Sequence, residues 1–331
     1  MIRLVKVPLR LSFFGGGTDY REYFTHNRGS VLGTTINVFV YIASLPMVGF
    51  AEQRFRIMYR QIENANSVDE IQHPVIRETL RDEKYDEPLN ISIMADLPGG
   101  TGLGSSSSFT VGFIQLIKSL KNEDISRYAL AKHAIRMEHD ILKENVGVQD
   151  QIHATYGGLS KYSFYKDDFS ITPVRINSDC KHALDQSIFL IYTGTTRSAS
   201  TVLDEQVKRT KEGAIARELG RMTELVDQGV AVLEQTSPDR MLKELGEMLN
   251  EAWQTKKSLS GMISNSRIDE IYDTSMRLGA YGGKLCGAGG GGFMAMIAPE
   301  HLGPRFQETF GSDNVCKVKV EENGSRIIQS V

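Results

Sequence analysis

Cysteine is scarce in this sequence. The chain of 331 residues contains only Cys180, Cys286 and Cys316, an odd number of cysteines that lie far apart. A disulfide framework needs an even set of cysteines, and a structural zinc site needs close pairs such as Cys-x-x-Cys. The sequence therefore predicts neither a disulfide-stabilised fold nor a cysteine zinc site.

Long hydrophobic runs are also missing. The most hydrophobic segment, residues 36–51, is interrupted by Asn37 and Pro46 and is rich in β-branched and aromatic residues, which is typical of a strand. At the N-terminus, Arg3 and Lys6 fall where a signal peptide needs an unbroken apolar stretch. We therefore expect a cytoplasmic protein with no membrane partner.

The sequence has no excess of positive charge. Its 38 lysines and arginines are balanced by 41 acidic residues, which gives a net charge of -3 at pH 7. Proteins that bind nucleic acid by neutralising phosphates carry basic patches or runs, and no long basic run occurs here. We therefore expect no nucleic-acid partner.

Several common catalytic motifs are absent as well. There is no His-Glu-x-x-His, and His133 and His139 are six residues apart, outside the spacing that places two metal ligands on one helix face. The Walker A sequence is missing, and so are the His-Arg-Asp and Asp-Phe-Gly motifs of protein kinases. These absences exclude a zinc protease of that type, a P-loop nucleotidase and a protein kinase.

The pattern of the chain changes between its two halves. Its length exceeds what one hydrophobic core usually organises. The first 60 residues or so have the pattern of strands, whereas the second half opens with a strand and continues with long amphipathic helices. The polar stretch 170–185 marks a boundary. We predict an α+β protein with two domains, residues 1–178 and 179–331.

A glycine- and serine-rich segment, Leu97–Ser108, lies between a predicted strand and a predicted helix. It has four glycines within residues 99–104, followed by serines at all four positions of 105–108. Glycine lets the backbone approach an anion closely, and the N-terminus of the following helix adds partial positive charge. The segment therefore predicts a phosphate-binding loop in preference to a turn that only caps a helix.

Two further glycine segments lie on either side of this one. The first, Pro8–Tyr20, places Arg10 in a strand and Asp19 just after a glycine turn. An arginine on a buried strand indicates an anionic partner, either a ligand or a structural carboxylate. The third segment, Gly287–Gly292, follows a helix and enters a strand, the reverse of a dinucleotide-binding fingerprint. Its pattern leaves open a loop that closes over a ligand or a tight turn.

The three glycine segments together resemble the three motifs of the GHMP kinases, which include galactokinase, homoserine kinase, mevalonate kinase and phosphomevalonate kinase. The order is the same, and residues 97–108 match the Leu-Pro-x-Gly-x-Gly-Leu-Gly-Ser-Ser pattern of the ATP motif and the small residues that follow it. The resemblance runs from Pro8 to Phe293. It implies a ribosomal-S5-like N-terminal domain, a ferredoxin-like C-terminal domain, and the cofactors ATP and Mg²⁺.

The resemblance also implies roles for individual residues. Asp150, in a Gly-Val-Gln-Asp-Gln segment, is the expected catalytic base, with Arg10 beside it to keep it ionised. Ser106 and Glu138 are the expected Mg²⁺ ligands. The residues expected to bind the nucleotide are Pro98, Gly99, Gly100, Thr101, Gly102, Leu103, Gly104, Ser105, Ser106 and Ser107. Those expected to bind the sugar, besides Arg10 and Asp150, are Gly16, Gly17, Thr18, Asp19, Gly289 and Gly290.

The residues of the first glycine segment indicate which substrate, among those of the family, the resemblance implies. The sequence Phe-Gly-Gly-Gly-Thr-Asp at residues 14–19 is similar to bacterial D-glycero-D-manno-heptose 7-phosphate kinases, whereas Tyr20 is galactokinase-like. The resemblance implies phosphorylation of the anomeric (C1) hydroxyl of the heptose 7-phosphate, giving the 1,7-bisphosphate for nucleotide-activated heptose and surface glycans. The alternatives are a galactokinase- or fucokinase-like anomeric sugar kinase and a non-catalytic sensor of ATP and sugar.

A sugar phosphate needs a second anion site. One candidate is Arg197, in the segment Thr193–Ser200 between a predicted strand and a predicted helix, since a helix N-terminus and an arginine both favour phosphate. Arg28, in a polar turn, is the other candidate. We therefore expect a small-molecule sugar phosphate and ATP as partners, and the sequence leaves the oligomeric state open.

Overall fold

Two β-sheets organise the chain, each with helices packed against it. The computed structural model describes residues 2–47, 53–166, 168–195, 205, 207–235 and 237–329. The predicted substrate residue Arg197 lies outside these ranges.

The first sheet is built mainly from the N-terminal half. Its strands are β1 (Arg3–Phe14), β2 (Gly29–Pro46), β3 (Phe55–Met58), β4 (Ile62–Ala65), β5 (Leu89–Ala95), β6 (Leu159–Tyr165), β7 (Asp168–Pro173) and β12 (Arg326–Gln329). They are ordered β12-β1-β2-β5-β3-β4, while β6 pairs with β2 and with β7. The C-terminal strand β12 therefore joins the first sheet, and the division into 1–178 and 179–331 stays a prediction.

The second sheet has four antiparallel strands, β8 (Ile188–Tyr192), β9 (Gly282–Leu285), β10 (Phe293–Ile297) and β11 (Val315–Val318). Their order is β11-β8-β10-β9. Counted along the chain this is 4-1-3-2, the strand order of a ferredoxin-like sheet. The predicted α+β class and the ferredoxin-like second half are confirmed.

Among the α-helices of the described residues are α1 (Arg21–Phe24), α2 (Pro74–Asp82), α3 (Ser105–Leu120), α4 (Arg127–Arg136), α5 (Gln149–Tyr156), α6 (Ser178–Ser187), α7 (Ala216–Leu233), α8 (Pro238–Leu259), α9 (Ser266–Leu278) and α10 (Gly303–Phe310). Helix α9 ends at Gly279, whose φ of 108° is in the left-handed region that favours glycine. Within the described parts of the chain, no helix is both long and apolar enough to cross a bilayer.

The core that positions the site lies between β1 and α3. Alternate residues of β1, including Val5, Val7 and Leu9, are fully buried. Helix α3 approaches this strand closely, because a Cβ added at Gly112 would lie 2.5 Å from Cγ2 of Val7. The glycine therefore lets α3 pack against β1, which fixes the direction of the helix that follows the predicted phosphate loop.

Candidate active site

A cavity of about 330 Å³ lies where the three glycine segments meet. The first segment contributes Arg10, Ser12, Gly16, Gly17, Asp19 and Tyr20 to its wall; the second contributes Gly100, Gly102, Gly104, Ser105, Ser106 and Ser107; the third contributes Gly287 and Ala288. Gln149 and Asp150 from the start of α5 complete this side. The fold thus brings both predicted catalytic residues to one cavity.

Arg10 reaches the cavity because of its place on β1. Side chains of a strand alternate between its faces, so the face opposite the buried Leu9 and Leu11 carries Arg10. The pairing of β1 with β2 is irregular between Pro8 and Leu9 and again between Ser12 and Phe14, on either side of the arginine. Such irregularities re-aim side chains and are frequent next to active sites.

Arg10 and Asp150 form a bidentate ion pair. Nε donates to Oδ1 at 2.7 Å, and Nη2 donates to Oδ2 at 2.9 Å. The third guanidinium nitrogen, Nη1, donates to the carbonyl oxygen of Gly102 in the second glycine segment. Burial is the largest single effect and acts to lower the pKa of Arg10, but the charge and hydrogen bonds of Asp150, together with weaker effects of Cys286 and Asp19, outweigh it and the pKa is raised. Arg10 therefore links the predicted base to the predicted phosphate loop.

Asp19 is held beside this pair by the segment that contains Asp150. Its Oδ1 accepts a hydrogen bond from the backbone N–H of Gly17 at 3.0 Å, and its Oδ2 accepts one from Nε2 of Gln149 at 2.9 Å. Burial, followed by the charge of Asp150, raises the pKa of Asp19. A Cβ at Gly147 would lie 1.8 Å from Oδ2 of Asp19, so this contact requires glycine there.

Thr18 does not reach the cavity. Its hydroxyl donates to the carbonyl oxygens of Gly15 and Ser30, at 2.8 Å each, and accepts from the backbone N–H of Ser30. The side chain is fully buried. The expectation that Thr18 binds sugar is therefore not supported by its position: it fixes the glycine turn that presents Asp19.

Glu138 is buried at the base of α3. It lies in a π-helical turn, Met137–Ile141, that continues α4, a type of irregularity often found at functional sites. Its Oε2 accepts hydrogen bonds from the Ser107 hydroxyl, at 2.8 Å, and from Nε2 of Gln151. Its Oε1 is buried without a partner among the described residues. Burial raises the pKa of Glu138 to about 7.

The serine that contacts Glu138 is Ser107, whereas the resemblance indicates Ser106. Ser107 is buried and donates to the carboxylate, while Ser106 is exposed; both serines border the active-site cavity, whereas Glu138 is not among the residues that line it. A helix turns about 100° per residue, so neighbouring serines at its start point in different directions. Ser106 stays the predicted metal ligand, and Ser107 is placed to orient Glu138.

These residues fit a magnesium ion. Mg²⁺ takes oxygen ligands and commonly uses one or two carboxylates together with phosphate oxygens. Oε1 of Glu138 is a buried carboxylate oxygen with no hydrogen bond among the described residues, and the Ser107 hydroxyl at the start of α3 donates to the other oxygen of this carboxylate. A buried oxygen that lacks a hydrogen bond is costly unless a ligand satisfies it.

The second and third glycine segments touch each other. A Cβ at Gly102 would lie 2.5 Å from the carbonyl oxygen of Cys286, and one at Gly287 would lie 2.4 Å from the Cα of Gly102. The backbone N–H of Phe293 also donates to the carbonyl oxygen of Thr101 at 3.3 Å. The third segment is therefore packed on the predicted phosphate loop, and glycine is needed where the backbones meet.

Several residues predicted to bind ligands lie away from the cavity wall. Leu103 is fully buried in the core, and the Thr101 hydroxyl donates to the carbonyl oxygen of Pro98 at 3.0 Å. Neither they nor Pro98 and Gly99 border the cavity. Alternate residues of the loop, Gly100, Gly102 and Gly104, do border it, so the loop presents its glycines and packs the residues between them.

The residues of the third segment that border the cavity are Gly287 and Ala288, not the predicted Gly289 and Gly290. Gly290 donates its backbone N–H to the carbonyl oxygen of Ile263 at 2.9 Å, and a Cβ at Gly289 would lie 2.9 Å from the Cα of Ile263. These two glycines therefore pack against another loop, while Gly287 and Ala288 face the cavity. Arg28 is exposed and is not among the cavity residues.

Gln149, Lys256 and Lys284 are among the polar residues of the cavity that the sequence motifs do not identify. Gln149 connects Asp19 with the hydroxyl of Ser12. Lys256 of α8 and Lys284 of β9 line the cavity from the C-terminal half. A signal for Lys256 was present, because it falls on the apolar stripe of α8 between the buried Trp253 and Leu259.

Comparison with known protein families matches both halves of the chain. The GHMP kinases N terminal domain matches residues 71–158, which contain the second glycine segment, Glu138 and Asp150. The GHMP kinases C terminal domain matches residues 235–313, which contain both lysines and the third glycine segment. The two matches occur in the order that the sequence motifs predict.

Individual relatives are similar over most of the chain. A D-glycero-alpha-D-manno-heptose 7-phosphate kinase from Campylobacter jejuni is 28% identical over 304 residues, 87% of each chain. A galactokinase from Pyrococcus furiosus is 25% identical over 312 residues, 87% of this chain and 86% of its own.

Among solved structures, a D-glycero-D-manno-heptose 1-phosphate kinase from B. thetaiotaomicron superposes with a TM-score of 0.79 over 100% of both chains at 20% identity, which shows a shared fold. The two domain matches, the full-length relatives and the convergence of all three motifs on one cavity agree with each other. The chain belongs to the GHMP kinase family and is an ATP-dependent sugar kinase.

Proposed function

We propose that this kinase transfers the terminal phosphoryl group of ATP to the anomeric (C1) hydroxyl of D-glycero-D-manno-heptose 7-phosphate, giving the 1,7-bisphosphate and ADP. The observation that carries this proposal is the bidentate Arg10–Asp150 pair beside Asp19, in a cavity walled by the phosphate loop. The choice of sugar rests on the glycine-rich first segment and on the heptose kinase relative from Campylobacter jejuni.

The proposed chemistry uses the chain's own residues for proton removal and alignment. Asp150 accepts the proton of the C1 hydroxyl as its oxygen bonds to phosphorus and ADP leaves. Arg10 pairs with the carboxylate and fixes its orientation through two hydrogen bonds. Asp19 and Gln149 are placed to hydrogen-bond sugar hydroxyls, and a polar site of this kind strongly rejects analogues that lack them.

The second glycine segment and α3 supply the anion site. The glycines that border the cavity, together with the N-terminus of α3, favour phosphate groups. Ser106 and Glu138 are the proposed Mg²⁺ ligands, with Ser107 orienting the carboxylate. When bound, Mg²⁺ supplies positive charge that stabilises the charge on the transferring group.

A kinase for an unphosphorylated sugar is the second candidate. Tyr20 matches the galactokinase form of the first motif and lines the cavity, and a galactokinase from Pyrococcus furiosus is among the relatives. The first candidate is favoured by the Gly16–Gly17 pair, which replaces the bulkier Glu-His of galactokinases and leaves open space where a Cβ would stand at Gly16.

Phosphorus NMR of the products tests the proposal. The enzyme is incubated with ATP, Mg²⁺ and a panel of sugars with and without a terminal phosphate. We expect a new anomeric phosphate signal only with the heptose 7-phosphate, and its coupling identifies the anomer. Turnover of free galactose or fucose instead would move the enzyme to the second candidate. ATP binding without any product would favour the sensor.

Gly102→Ala is expected to raise the KM for ATP roughly tenfold or more. The new Cβ would stand 2.5 Å from the Cys286 carbonyl oxygen, so the second and third glycine segments must separate. Gly213→Ala is the matched control, because Gly213 has a similar positive φ, 70° against 82°, but nothing within 4 Å of its Cβ position. Both variants should lose about 1 kcal/mol of stability from the positive φ, and Gly102→Ala should lose more because its Cβ also meets the backbone of the third segment. Equal KM values would contradict a role for the loop contact.

A further inference from the structure

Two buried lysines stand in the wall of the active-site cavity. Lys256 is 7% exposed and lies near the end of α8, while Lys284 is 5% exposed and lies on β9. Both border the cavity together with Arg10 and Cys286. Lysine is almost never buried unless its charge is paired, so a buried pair of lysines needs an explanation.

The bonds that the two ammonium groups make are to backbone carbonyls. Nζ of Lys256 donates to the carbonyl oxygens of Leu285, at 3.0 Å, and of Gly287. Nζ of Lys284 donates to the carbonyl oxygen of Phe13 at 3.1 Å. Among the described residues, neither forms an ion pair with a carboxylate. Since an ammonium group has three donors, both lysines keep donor capacity for a ligand.

The carboxylates of the cavity wall already have partners. Asp150 is bound by Arg10, and Asp19 accepts from the Gly17 backbone and from Gln149. Arg10, Lys256 and Lys284 thus outnumber the two carboxylates among the residues that line the cavity. An excess of cationic side chains in the cavity wall favours an anionic occupant.

The pKa values of the two lysines also indicate an anionic ligand. Burial lowers the pKa of Lys256 to about 7 and that of Lys284 to about 8, and the charge of Lys284 lowers the pKa of Lys256 further. Desolvation thus disfavours the charged form of each lysine. A phosphate group would supply negative charge and acceptor oxygens, and both ammonium groups would then be favoured in their charged form.

We propose that Lys256 and Lys284 together form a subsite for a phosphate group in this cavity. The Lys284 partner, Phe13, lies on the strand that contains Arg10 and leads to the Gly16–Gly17 turn. The Lys256 partner, Gly287, lies in the segment packed on the phosphate loop. The subsite thus joins the sugar side of the cavity to its nucleotide side. Its phosphate is either the sugar's own or the terminal phosphate of ATP, and this assignment rests on the proposed function.

The test uses Lys256→Gln, Lys284→Gln and the corresponding methionine variants of the full chain. Glutamine removes the charge but keeps an N–H donor for the backbone carbonyls, so it separates anion binding from a structural role. Lys243→Met is the matched control, because Lys243 is an exposed lysine on the same helix. Melting temperatures establish which variants are folded. If a methionine variant is not folded, the glutamine variant at the same position carries the test.

Calorimetric titrations then use five probes: inorganic phosphate, Mg²⁺ with ADP, Mg²⁺ with a non-hydrolysable ATP analogue, the heptose 7-phosphate, and the unphosphorylated heptose. For a sugar-phosphate subsite, the lysine variants lose about tenfold or more affinity for the heptose 7-phosphate and keep their affinity for the free heptose. For a subsite that binds the terminal phosphate of ATP, the preference for the analogue over ADP falls by a similar factor. Either result supports the proposal.

The proposal is overturned if folded variants bind all five probes within about twofold of the wild type. It is also overturned if they lose affinity equally for ligands with and without the relevant phosphate, which is the mark of a structural role. Failure of the proposed function looks different. In that case the wild type does not phosphorylate the heptose 7-phosphate, while inorganic phosphate and the nucleotide probes still report on the two lysines.

Discussion

Replacing Asp150 by asparagine is expected to lower kcat by roughly 10²–10⁴-fold, the usual contribution of a general base. Asparagine has nearly the same shape as aspartate, but it cannot take the hydroxyl proton. The KM values for ATP and sugar should change less, because Asp19, Gln149 and the phosphate loop remain in place. Rates of ADP release at saturating and subsaturating sugar separate the two parameters.

Asp69→Asn is the matched control for this variant. Asp69 also pairs with an arginine, Arg81, at 2.6 Å, but it is 78% exposed and lies outside the cavity. Exposed ion pairs contribute little, so its kcat and melting temperature should be close to those of the wild type. If Asp150→Asn kept its kcat within about tenfold of the wild type, alignment by Arg10 would account for catalysis and proton removal by Asp150 would be wrong.

The loop and helix that form one wall of the site could be predicted, because the residues that indicate them are close together in the sequence. The glycines and serines of residues 99–108 predict a loop followed by a helix, and α3 begins at Ser105 behind Gly104, which has a φ of 78°. The alternation of apolar residues likewise indicates strands at β1 and β5, and helical periodicity indicates a helix at α9. Such patterns depend only on neighbouring residues, so one sequence suffices to identify them.

The residues that could not be predicted depend on contacts between distant parts of the chain. Whether Thr18 faces the sugar or the turn is decided by Ser30, on the next strand. Lys284 is a cavity residue only because β9 lies against Phe13, more than 270 residues away in sequence. The spacing of apolar residues in the sequence does not indicate the π-helical turn at Glu138 either. Packing between distant segments determines the positions of these side chains, and the periodicity of the sequence carries no information about that packing.

Replacing Glu138 by glutamine is expected to have two opposite effects. Turnover should fall roughly 100-fold or more, because the proposed Mg²⁺ site loses its carboxylate. The metal-free protein should become more stable above pH 7, because the glutamine carries no charge to desolvate. In the folded state the pKa of Glu138 is about 7, against an ordinary value of 4.5, so folding takes up a proton between these pH values.

The sign of the pH effect follows from this difference. Below about pH 4.5 the carboxyl is neutral in both the folded and the unfolded states, and it imposes no penalty on folding. As the pH rises from about 4.5 to about 7, the wild type loses stability relative to Glu138→Gln, and above pH 7 the gap is constant at a limit on the order of 3 kcal/mol. Thermal or urea unfolding of both metal-free proteins from pH 4 to 9 measures this gap. A gap that is the same over this whole pH range would contradict the burial argument.

The same unfolding measurements are repeated with added Mg²⁺ and with alanine variants of Ser106 and Ser107. Added Mg²⁺ should raise the melting temperature of the wild type and leave Glu138→Gln unchanged, since a ligand stabilises only a state that binds it. Ser106→Ala should weaken that effect of Mg²⁺ without altering metal-free stability, because Ser106 is exposed. Ser107→Ala should lower metal-free stability above pH 7, because Glu138 loses the hydroxyl that donates to it at 2.8 Å. If only Ser107→Ala weakened the response to Mg²⁺, Ser107 would be the metal-binding serine in place of Ser106.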